Sequence, residues 1–277
     1  MERIKRNERI GVMTKILTEV PNQILTLSYF SELFGAAKST ISEDVDIARD
    51  IFARFGLGEL ETVTGAAGGV RYLPTPEPQS AKEFILRLCH KLSEPERILP
   101  GGYLYMGDVI SNPTVVEKMG NLLASWFYKM QPDFVLTVET KGIPVALMTA
   151  RALGKPLVIA RHDNRITEGS VVTINYLSGS SRRIETMCLT KRAVKDGQRA
   201  LIIDDFMKGG GTAKGMMDMM KEFAVTVVGV GVVMSTQSPE RKLVEDYKTL
   251  MVLKDVDEYR MKVELGPSSY VEALSNR

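Results

Sequence analysis

Residues 200–217 read Ala200-Leu-Ile-Ile-Asp204-Asp205-Phe-Met-Lys208-Gly209-Gly210-Gly211-Thr212-Ala-Lys-Gly-Met-Met217. The first four residues are aliphatic without alternation, which predicts a strand buried on both faces, as in parallel sheets covered by helices. An acidic pair follows where this strand is expected to end, and a glycine triplet and a helix over residues 212–220 come next. The order of strand, acidic pair, glycine loop and helix places the chain in the α/β class.

The glycine triplet predicts a phosphate-binding loop. Three consecutive glycines let the backbone approach an anion closely, and the N-terminus of the following helix adds partial positive charge. The carboxylates of Asp204 and Asp205 would repel a phosphate, but they can accept hydrogen bonds from two neighbouring hydroxyls, such as those of a ribose. A ribose 5-phosphate is the simplest ligand that satisfies both halves. The alternative is an ordinary glycine-rich turn between strand and helix, with surface aspartates.

Two other phosphate motifs are excluded by the residues after the glycines. A P-loop ends in Gly-Lys-Ser or Gly-Lys-Thr, whereas Gly211 is followed by Thr-Ala-Lys. The dinucleotide fingerprint needs a further glycine three residues on, which neither Gly209-x-Gly211 nor Gly229-x-Gly231 has. What remains resembles the phosphoribosyl pyrophosphate (PRPP) motif of type I phosphoribosyltransferases. Its last five positions are Ala-Thr-Gly-Gly-Thr in most of those enzymes, and residues 208–212 depart from them at two positions.

The composition is that of one large or two ordinary soluble domains. The chain has 277 residues, a 44% hydrophobic share, a net charge of +2 and two cysteines. These values allow a real core, give no global signal for polyanion binding, and favour buried reduced thiols at Cys89 and Cys188. The lack of an apolar run of about 18 residues and of a signal peptide predicts a cytoplasmic protein without a membrane segment. Two histidines and no cluster at ligand spacing predict no metal site.

The first 74 residues predict a winged-helix DNA-binding domain. Helical spacing in residues 10–20, 27–34 and 38–55 is followed by β-like runs at 59–64 and 70–73. A short link between the second and third helices suits a helix-turn-helix, and the hairpin resembles its wing. Thr26 is expected to cap the second helix and Gly35 to end it. The residues expected to contact DNA are Arg3, Lys5, Arg6, Lys38, Ser39, Thr40, Ser42 and Arg71.

The charge of this region leaves an alternative open. Nine basic and ten acidic residues over residues 1–75 give a net charge of −1, so phosphate contacts depend on local clusters of cations. A helical oligomerisation or docking module is the competing interpretation.

A proline-rich stretch, residues 74–80, predicts the boundary between a domain at 1–74 and a second domain at 75–277. In the second domain, strands are expected at 134–138, 156–160, 200–203, 225–234 and 250–253, with helices between them. A long helix over 113–130 carries Trp126, which is expected in the core. Residues 101–108 are expected to form an edge element, and residues 254–277 a strand and a loose tail.

Two further segments take their meaning from the similarity to type I phosphoribosyltransferases. In those enzymes the loop after the first strand of the sheet binds pyrophosphate, and residues 139–142 occupy the corresponding position; a plain turn is the alternative. Residues 161–192 are polar and resemble the hood over the active site of these enzymes. The expected fold is therefore a winged helix-turn-helix followed by a type I phosphoribosyltransferase fold, with a central parallel sheet, flanking helices and a hood.

The whole chain closely resembles the purine operon repressor family of low-GC Gram-positive bacteria. This resemblance implies a homodimeric repressor of purine synthesis and transport genes that binds double-stranded operator DNA. It also implies that the second domain binds PRPP without turnover, that PRPP antagonises DNA binding, and that purine nucleotides such as (p)ppGpp compete for the pocket. No cofactor is required, although PRPP commonly carries Mg²⁺.

The expected ligand contacts combine the motif with this resemblance, and no catalytic residue is assigned. They are Asp204 and Asp205 for the ribose, Lys208, Gly209, Gly210, Gly211 and Thr212 for the 5-phosphate, Thr140, Lys141, Gly142 and Arg161 for the pyrophosphate, and Tyr103 and Phe206 for stacking on a base.

Two other functions compete with this interpretation. Residues 200–212 alone favour a purine salvage enzyme, such as a xanthine-type phosphoribosyltransferase with an N-terminal regulatory domain. The departures in the loop and the helix-turn-helix with its wing count against it. An RNA-binding regulator with the same sensor is also compatible with residues 1–75.

Overall fold

The computed structural model describes residues 4–65, 68–163, 169–178 and 183–274. These residues form two compact units, one containing the chain up to Glu77 together with Arg151–Gly154 and the other containing the remainder. Each unit has its own hydrophobic core. No helix in the described ranges is long and apolar enough to cross a membrane.

The first unit contains three helices and a hairpin, as predicted. In chain order the elements are α1 (Arg6–Glu19), α2 (Leu27–Phe34), α3 (Lys38–Phe55), β1 (Glu59–Val63) and β2 (Gly69–Leu73). The two strands pair antiparallel. The apolar residues at helical spacing meet in one core, whose fully buried members include Met13, Leu17, Phe30 and Ile41.

Local signals set the helix ends in this unit. The Thr26 side chain accepts a hydrogen bond from the Tyr29 N–H at 3.1 Å, which caps α2 as expected. Gly35 and Gly56 end α2 and α3 with φ of 58° and 62°, a conformation that glycine adopts without steric cost. The link of three residues between α2 and α3 is therefore defined at its start by Gly35.

An ion pair between α1 and α3 lies inside this unit. Arg9 is 8% exposed and Asp44 is fully buried, and Arg9 Nε donates to Asp44 Oδ2 at 2.7 Å. Arg6 Nε approaches the other carboxylate oxygen at 3.2 Å. A buried pair of this kind is costly to break because one charge would then be left without its partner. It orients α1 against α3.

The second unit is an α/β domain with flanking helices. Its elements are α4 (Pro78–Leu92), β3 (Ile98–Leu99), β4 (Tyr103–Leu104), α5 (Gly107–Ile110), α6 (Pro113–Ser125), β5 (Phe134–Val138), α7 (Ile143–Leu153), β6 (Leu157–Ala160), β7 (Val171–Leu177), β8 (Ile184–Thr190), β9 (Arg199–Met207), α8 (Gly211–Glu222), β10 (Thr226–Thr236), β11 (Lys248–Asp257), β12 (Lys262–Pro267) and α9 (Ser269–Glu272), with single 3-10 turns at Pro95–Arg97 and Tyr128–Met130.

The central sheet has the strand order β12-β11-β10-β9-β5-β6. All pairings are parallel except that of β11 with β12. Residues 200–203 of β9 are fully buried, which explains the continuous aliphatic run. Strands β7 and β8 form a separate antiparallel hairpin in the region predicted as the hood.

The structure corrects the predicted end of the key strand. Strand β9 does not stop at Ile203 but continues through the acidic pair to Met207. The cause is its parallel partner β10, since Val232 pairs with Asp204 and Met234 pairs with Phe206. The aspartates therefore lie within the last residues of the strand, where their backbone positions are held by the sheet.

Other predictions were wrong in detail. Helix α6 ends at Ser125, and Trp126 lies partly exposed at its C-terminus, 5.8 Å from the Tyr270 ring, rather than in the core. Helix α4 begins at Pro78, inside the predicted linker, because proline is well tolerated in the first turn of a helix. The edge element at 101–108 is a short pair, β3 with β4, outside the central sheet. The expected loose tail begins with α9, although residues 275–277 lie outside the described ranges.

The two cysteines are buried thiols that do not form a disulfide, as expected. Burial raises the pKa of the Cys89 thiol to about 12, so this thiol stays protonated at neutral pH.

Candidate functional site

The candidate site lies where β5 and β9 end. The carboxyl ends of parallel strands meet at one edge of a sheet, which is where α/β proteins bind ligands. Strand β5 leads into residues 139–142, and β9 leads into the glycine loop. A Cβ atom added to Gly142 would lie 2.7 Å from Asp204 Oδ1 and 2.7 Å from Thr137 Oγ1. The loop predicted to bind pyrophosphate therefore lies directly against Asp204 in β9, and a side chain at position 142 would clash with that carboxylate unless it moved.

The glycine loop surrounds a cavity with its backbone. The residues that line this cavity are Asp204 and residues 206–213. Gly210 has a φ of 81° and precedes the first turn of α8. The amide groups of residues 209–213 donate no hydrogen bond to any part of the chain that the structure describes. Free amides at a helix N-terminus are suited to an anion such as phosphate.

In the part of the chain that the structure describes, the two aspartates contact each other rather than a cation. Asp204 is 6% exposed and accepts a hydrogen bond from the Asp205 N–H at 2.9 Å. Burial, followed by the neighbouring charge of Asp205, raises the pKa of Asp204 well above its usual value. Burial also raises the pKa of Asp205, against the opposing charge of Lys141. Within the described ranges neither carboxylate forms an ion pair, so both can accept hydrogen bonds from a ligand.

The loop after β5 presents its predicted residues to solvent. Thr140 and Lys141 are exposed, and the peptide bond between Glu139 and Thr140 is cis. Arg161 was predicted to bind pyrophosphate. In the structure its guanidinium donates to Glu139 Oε2 at 3.3 Å, so it already forms an ion pair within the protein.

Glu139 and His162 tie this loop to neighbouring segments. The His162 N–H donates to Glu139 Oε1 at 2.8 Å. The His162 ring places Nε2 3.1 Å from the Glu139 carbonyl oxygen and Nδ1 3.2 Å from that of Thr186 in β8. Sequence reasoning included Glu139 in the pyrophosphate loop without a role for its side chain, and it assigned no role to His162. They act here as positioning residues for the loop.

The two candidates for base stacking are placed differently. Phe206 is half-buried and lines the cavity at the glycine loop. Tyr103 lies in β4 and is 58% exposed, and it does not line that cavity. The structure therefore brings Phe206, but not Tyr103, to the glycine loop.

The β7–β8 hairpin packs against α8. A Cβ atom on Gly215 would lie 2.9 Å from Tyr176 Cβ, so the helix and the hairpin are in close contact there. The Tyr176 hydroxyl donates to Glu185 Oε2 at 2.8 Å, and burial, helped by Glu185, raises the pKa of this phenol. The hairpin therefore adjoins the helix that begins at the glycine loop. Residues 164–168 and 179–182 of the predicted hood lie outside the described ranges.

Lys242 is a buried residue at the site that sequence reasoning missed. It is 8% exposed, and its Nζ donates to the carbonyl oxygens of Lys208 at 2.7 Å and Pro239 at 3.0 Å. Burial lowers the pKa of this amine. No local pattern marks Lys242, because 34 positions separate it from Lys208.

The start of α3 is open to solvent in the first unit. Lys38, Ser39 and Ser42 are exposed and Thr40 is half-buried, which is compatible with groove contacts. Lys5 is exposed as well.

The other predicted DNA-binding cations are engaged within the protein. Arg6 pairs with Glu43 at 2.7 Å, and Arg71 pairs with Glu61 at 2.7 Å and donates to Asn22 Oδ1 at 3.2 Å. Arg3 lies outside the described ranges.

Two protein families match separate parts of the chain. Residues 5–74 match the family described as bacterial purine repressor, N-terminal, and residues 111–267 match the phosphoribosyl transferase domain family.

Relatives that cover nearly the whole chain are transcriptional regulators. The purine biosynthesis transcriptional repressor PurR of Bacillus subtilis is 44% identical over 97% of this chain and 94% of its own length. The purine biosynthesis transcriptional activator PurR of Lactococcus lactis is 41% identical over 92% of this chain and 94% of its own length. The regulatory relatives thus carry both signs of regulation.

Enzymes match the second unit. A xanthine phosphoribosyltransferase of Geobacillus thermodenitrificans is 31% identical over 53% of this chain and 77% of its own length. The adenine phosphoribosyltransferase of Saccharomyces cerevisiae superposes with a TM-score of 0.52 at 18% identity, covering 60% of this chain and 98% of that protein. The predicted phosphoribosyltransferase fold is confirmed.

Proposed function

The chain belongs to the bacterial purine repressor family, and we propose that it is a DNA-binding repressor of purine biosynthesis and transport genes whose hold on operator DNA is relieved by PRPP. The observation that carries this proposal is one cavity lined by both Asp204 and a glycine loop with free amides, with Gly142 of the pyrophosphate loop lying against Asp204. The same chain presents the start of α3 to solvent in its other unit. A ligand site and a DNA-reading element are what a metabolite-responsive regulator requires.

In this proposal each part of the site binds one part of PRPP. Asp204 and Asp205 accept hydrogen bonds from the ribose hydroxyls, and the free amides of the glycine loop hold the 5-phosphate. The backbone at Gly142 and the cation of Lys141 hold the pyrophosphate. Carboxylate oxygens are also ligands that Mg²⁺ prefers, so the pair suits a PRPP molecule that carries this ion.

The domain is proposed to bind PRPP without turnover. Lys208 and Gly209 stand where most type I enzymes have alanine and threonine, and the added cation favours phosphate binding. The regulatory relatives cover almost the whole chain, whereas the xanthine phosphoribosyltransferase relative covers only 53% of it. Binding without transfer is the behaviour expected of a sensor.

Relief of DNA binding follows from linkage. A ligand shifts an equilibrium only by its differential affinity for the two states, so PRPP must favour a conformation, or an arrangement of a cytoplasmic homodimer, that docks poorly on the operator. A nucleotide such as (p)ppGpp uses the same amides for phosphate and the half-buried Phe206 ring for its base. It therefore competes with PRPP without necessarily favouring the same state.

The second candidate function is a xanthine-type phosphoribosyltransferase with a regulatory N-terminal unit. The 31% identity to an enzyme of that name favours it. It differs from the first proposal in one measurable respect, which is the release of pyrophosphate from PRPP in the presence of a purine base.

Two assays on the full-length protein separate these functions. The first is a gel-shift titration on the promoter of a purine operon, with and without PRPP, and with ribose 5-phosphate and a single-stranded RNA copy as controls. The second measures pyrophosphate release with adenine, guanine, hypoxanthine and xanthine. The proposal predicts DNA retention that PRPP reverses, with no release above background. Turnover without DNA retention would establish the enzyme instead, and preferential retention of the RNA would establish an RNA-binding regulator.

A further inference from the structure

Lys242 carries a buried charge without a carboxylate partner. Its amino group contacts two carbonyl oxygens, and no carboxylate in the described part of the chain forms an ion pair with it. Lysine is almost never this deeply buried unless it is paired, because removing an ammonium group from water is costly. The burial of this amino group against the Lys208 carbonyl, next to the glycine loop, therefore indicates a role for Lys242 beyond packing.

The contacts of the segment that contains Lys242 orient two peptide groups of the loop. Lys242 Nζ holds the Lys208 carbonyl at 2.7 Å, and the Leu243 N–H holds the Gly209 carbonyl at 2.9 Å. Both loop peptides are trans, and in a trans peptide the C=O and the next N–H point in opposite directions. The amides of Gly209 and Gly210 are therefore directed away from Lys242 and Leu243.

The ligand cavity is lined by the loop itself, over residues 206–213, and not by Lys242 or Leu243. A run of three glycines would otherwise sample many conformations, since glycine is the least restricted residue. Hydrogen bonds to the carbonyls of Lys208 and Gly209 thus fix the direction of the next two amides in the cavity lining before any ligand arrives.

We propose that Lys242 is the positioning residue of the anion-binding loop: its amino group fixes the Lys208 carbonyl, turns the Gly209 amide toward the 5-phosphate, and places a positive charge behind the loop. This inference rests on the proposed binding of PRPP and adds the residue that sets its affinity. It also predicts a selective effect. Ligands with a 5-phosphate depend on Lys242, whereas inorganic pyrophosphate, which is assigned to residues 139–142, does not.

The test compares three substitutions in the full-length protein by titration calorimetry. Lys242→Met removes the charge and the donors, and Lys242→Arg keeps both. Lys221→Met removes an exposed cation at the far end of α8 as a matched control. The ligands are PRPP, ribose 5-phosphate and inorganic pyrophosphate, and thermal unfolding of each variant checks that it is folded.

The expected result is a loss of about 10- to 100-fold in affinity for PRPP and ribose 5-phosphate with Lys242→Met, the effect of removing a charged hydrogen bond. Pyrophosphate affinity should stay within about 2-fold, Lys242→Arg should restore most of the loss, and Lys221→Met should change little.

Several results overturn the inference. The inference is wrong if Lys242→Met binds PRPP as tightly as the wild type, or if it loses as much affinity for pyrophosphate as for PRPP. Neither result contradicts the proposed function. If Lys242→Met does not fold, Lys242→Arg decides alone. A folded arginine variant whose affinity for ribose 5-phosphate is about 10- to 100-fold below that of the wild type then contradicts the assignment. Failure of the wild-type protein to bind PRPP removes both the inference and the proposed function.

Discussion

Replacement of Asp204 by asparagine should stabilise the ligand-free protein while removing its response to PRPP. Asp204 is almost fully buried, and no cation in the described part of the chain pairs with it. Asparagine has nearly the same shape, and its side-chain oxygen can still accept the hydrogen bond from the Asp205 N–H. The substitution therefore removes the charge and leaves the packing.

The magnitude follows from the cost of burying an ionisable group. A poorly compensated buried polar group costs about 1–3 kcal/mol in mutational series, and a buried carboxyl avoids the much larger cost of a charge by binding a proton, as the raised pKa of Asp204 indicates. The substitution should recover an amount of this order. For a domain of about 200 residues, each kcal/mol changes the melting temperature by about 2–4 °C.

The pH dependence has a definite sign. Because the folded-state pKa of Asp204 is raised, the folded protein binds more protons than the unfolded chain between the two pKa values. The contribution of Asp204 to stability therefore falls as pH rises through this window. The stability difference between Asp204→Asn and the wild type should therefore be small near pH 4 and grow as pH rises toward the raised pKa of Asp204.

Thermal unfolding across this pH range and gel shifts with PRPP test both halves of the prediction. Asp218→Asn is a matched control on the same unit, because Asp218 is partly exposed and pairs with Lys214 and Lys221 at 2.5 and 2.8 Å. Its loss should lower stability by no more than about 1 kcal/mol. A lower melting temperature for Asp204→Asn at neutral pH, or a normal PRPP response, would refute the reasoning.

Three further substitutions test other parts of the structure. Gly142→Ala forces a Cβ atom to within 2.7 Å of Asp204, so calorimetry should show PRPP binding weakened by about 1–3 kcal/mol, or about 5- to 150-fold, with operator binding unchanged. Equal PRPP affinity would contradict the close contact of residue 142 with Asp204. Asp44→Asn leaves Arg9 buried without its partner, and chemical denaturation should show the first unit destabilised by about 3–5 kcal/mol; a loss below about 1 kcal/mol would mean that the pair is solvated. Lys38→Ala should weaken operator binding and reduce the slope of log affinity against log salt concentration by about 1, without changing PRPP affinity. An unaltered slope would mean that Lys38 does not contact a DNA phosphate.

The sequence was most informative where structure depends on neighbouring residues. The unbroken aliphatic run at 200–203 predicted a buried parallel strand, and Thr26 with Gly35 predicted both ends of α2. These signals are local, because burial on two faces and helix capping each impose their own residue types. The glycine loop after β9 was found for the same reason.

What the sequence could not predict depends on residues far apart in the chain. The extension of β9 to Met207 is imposed by β10, and the pair of Arg9 with Asp44 joins residues 35 positions apart. Lys242 likewise reaches Lys208 across 34 positions. A lysine in a polar stretch is normally a surface residue, so its burial follows only from the packing of residues 238–244 onto the loop. The sequence also did not show that Arg71, which was predicted to bind DNA, pairs with Glu61, because Glu61 lies on the opposite strand of the hairpin.

The uncompensated charges of the second unit explain how binding can supply free energy for regulation. Asp204 and Lys242 are buried without an ion-pair partner in the described residues, so the ligand-free site retains a cost that hydrogen bonds from PRPP can relieve. Moving a two-state equilibrium from 1:99 to 99:1 requires a differential affinity of about 5.5 kcal/mol. A site on one flexible loop could not supply this, because the loop would adjust to the ligand in either state. Here Gly142 lies against Asp204, so the pyrophosphate loop and the proposed ribose-binding aspartates meet at one place, and any state that separates them loses both sets of ligand contacts together. Such a state is the one that PRPP disfavours, and we expect it to be the state that binds DNA.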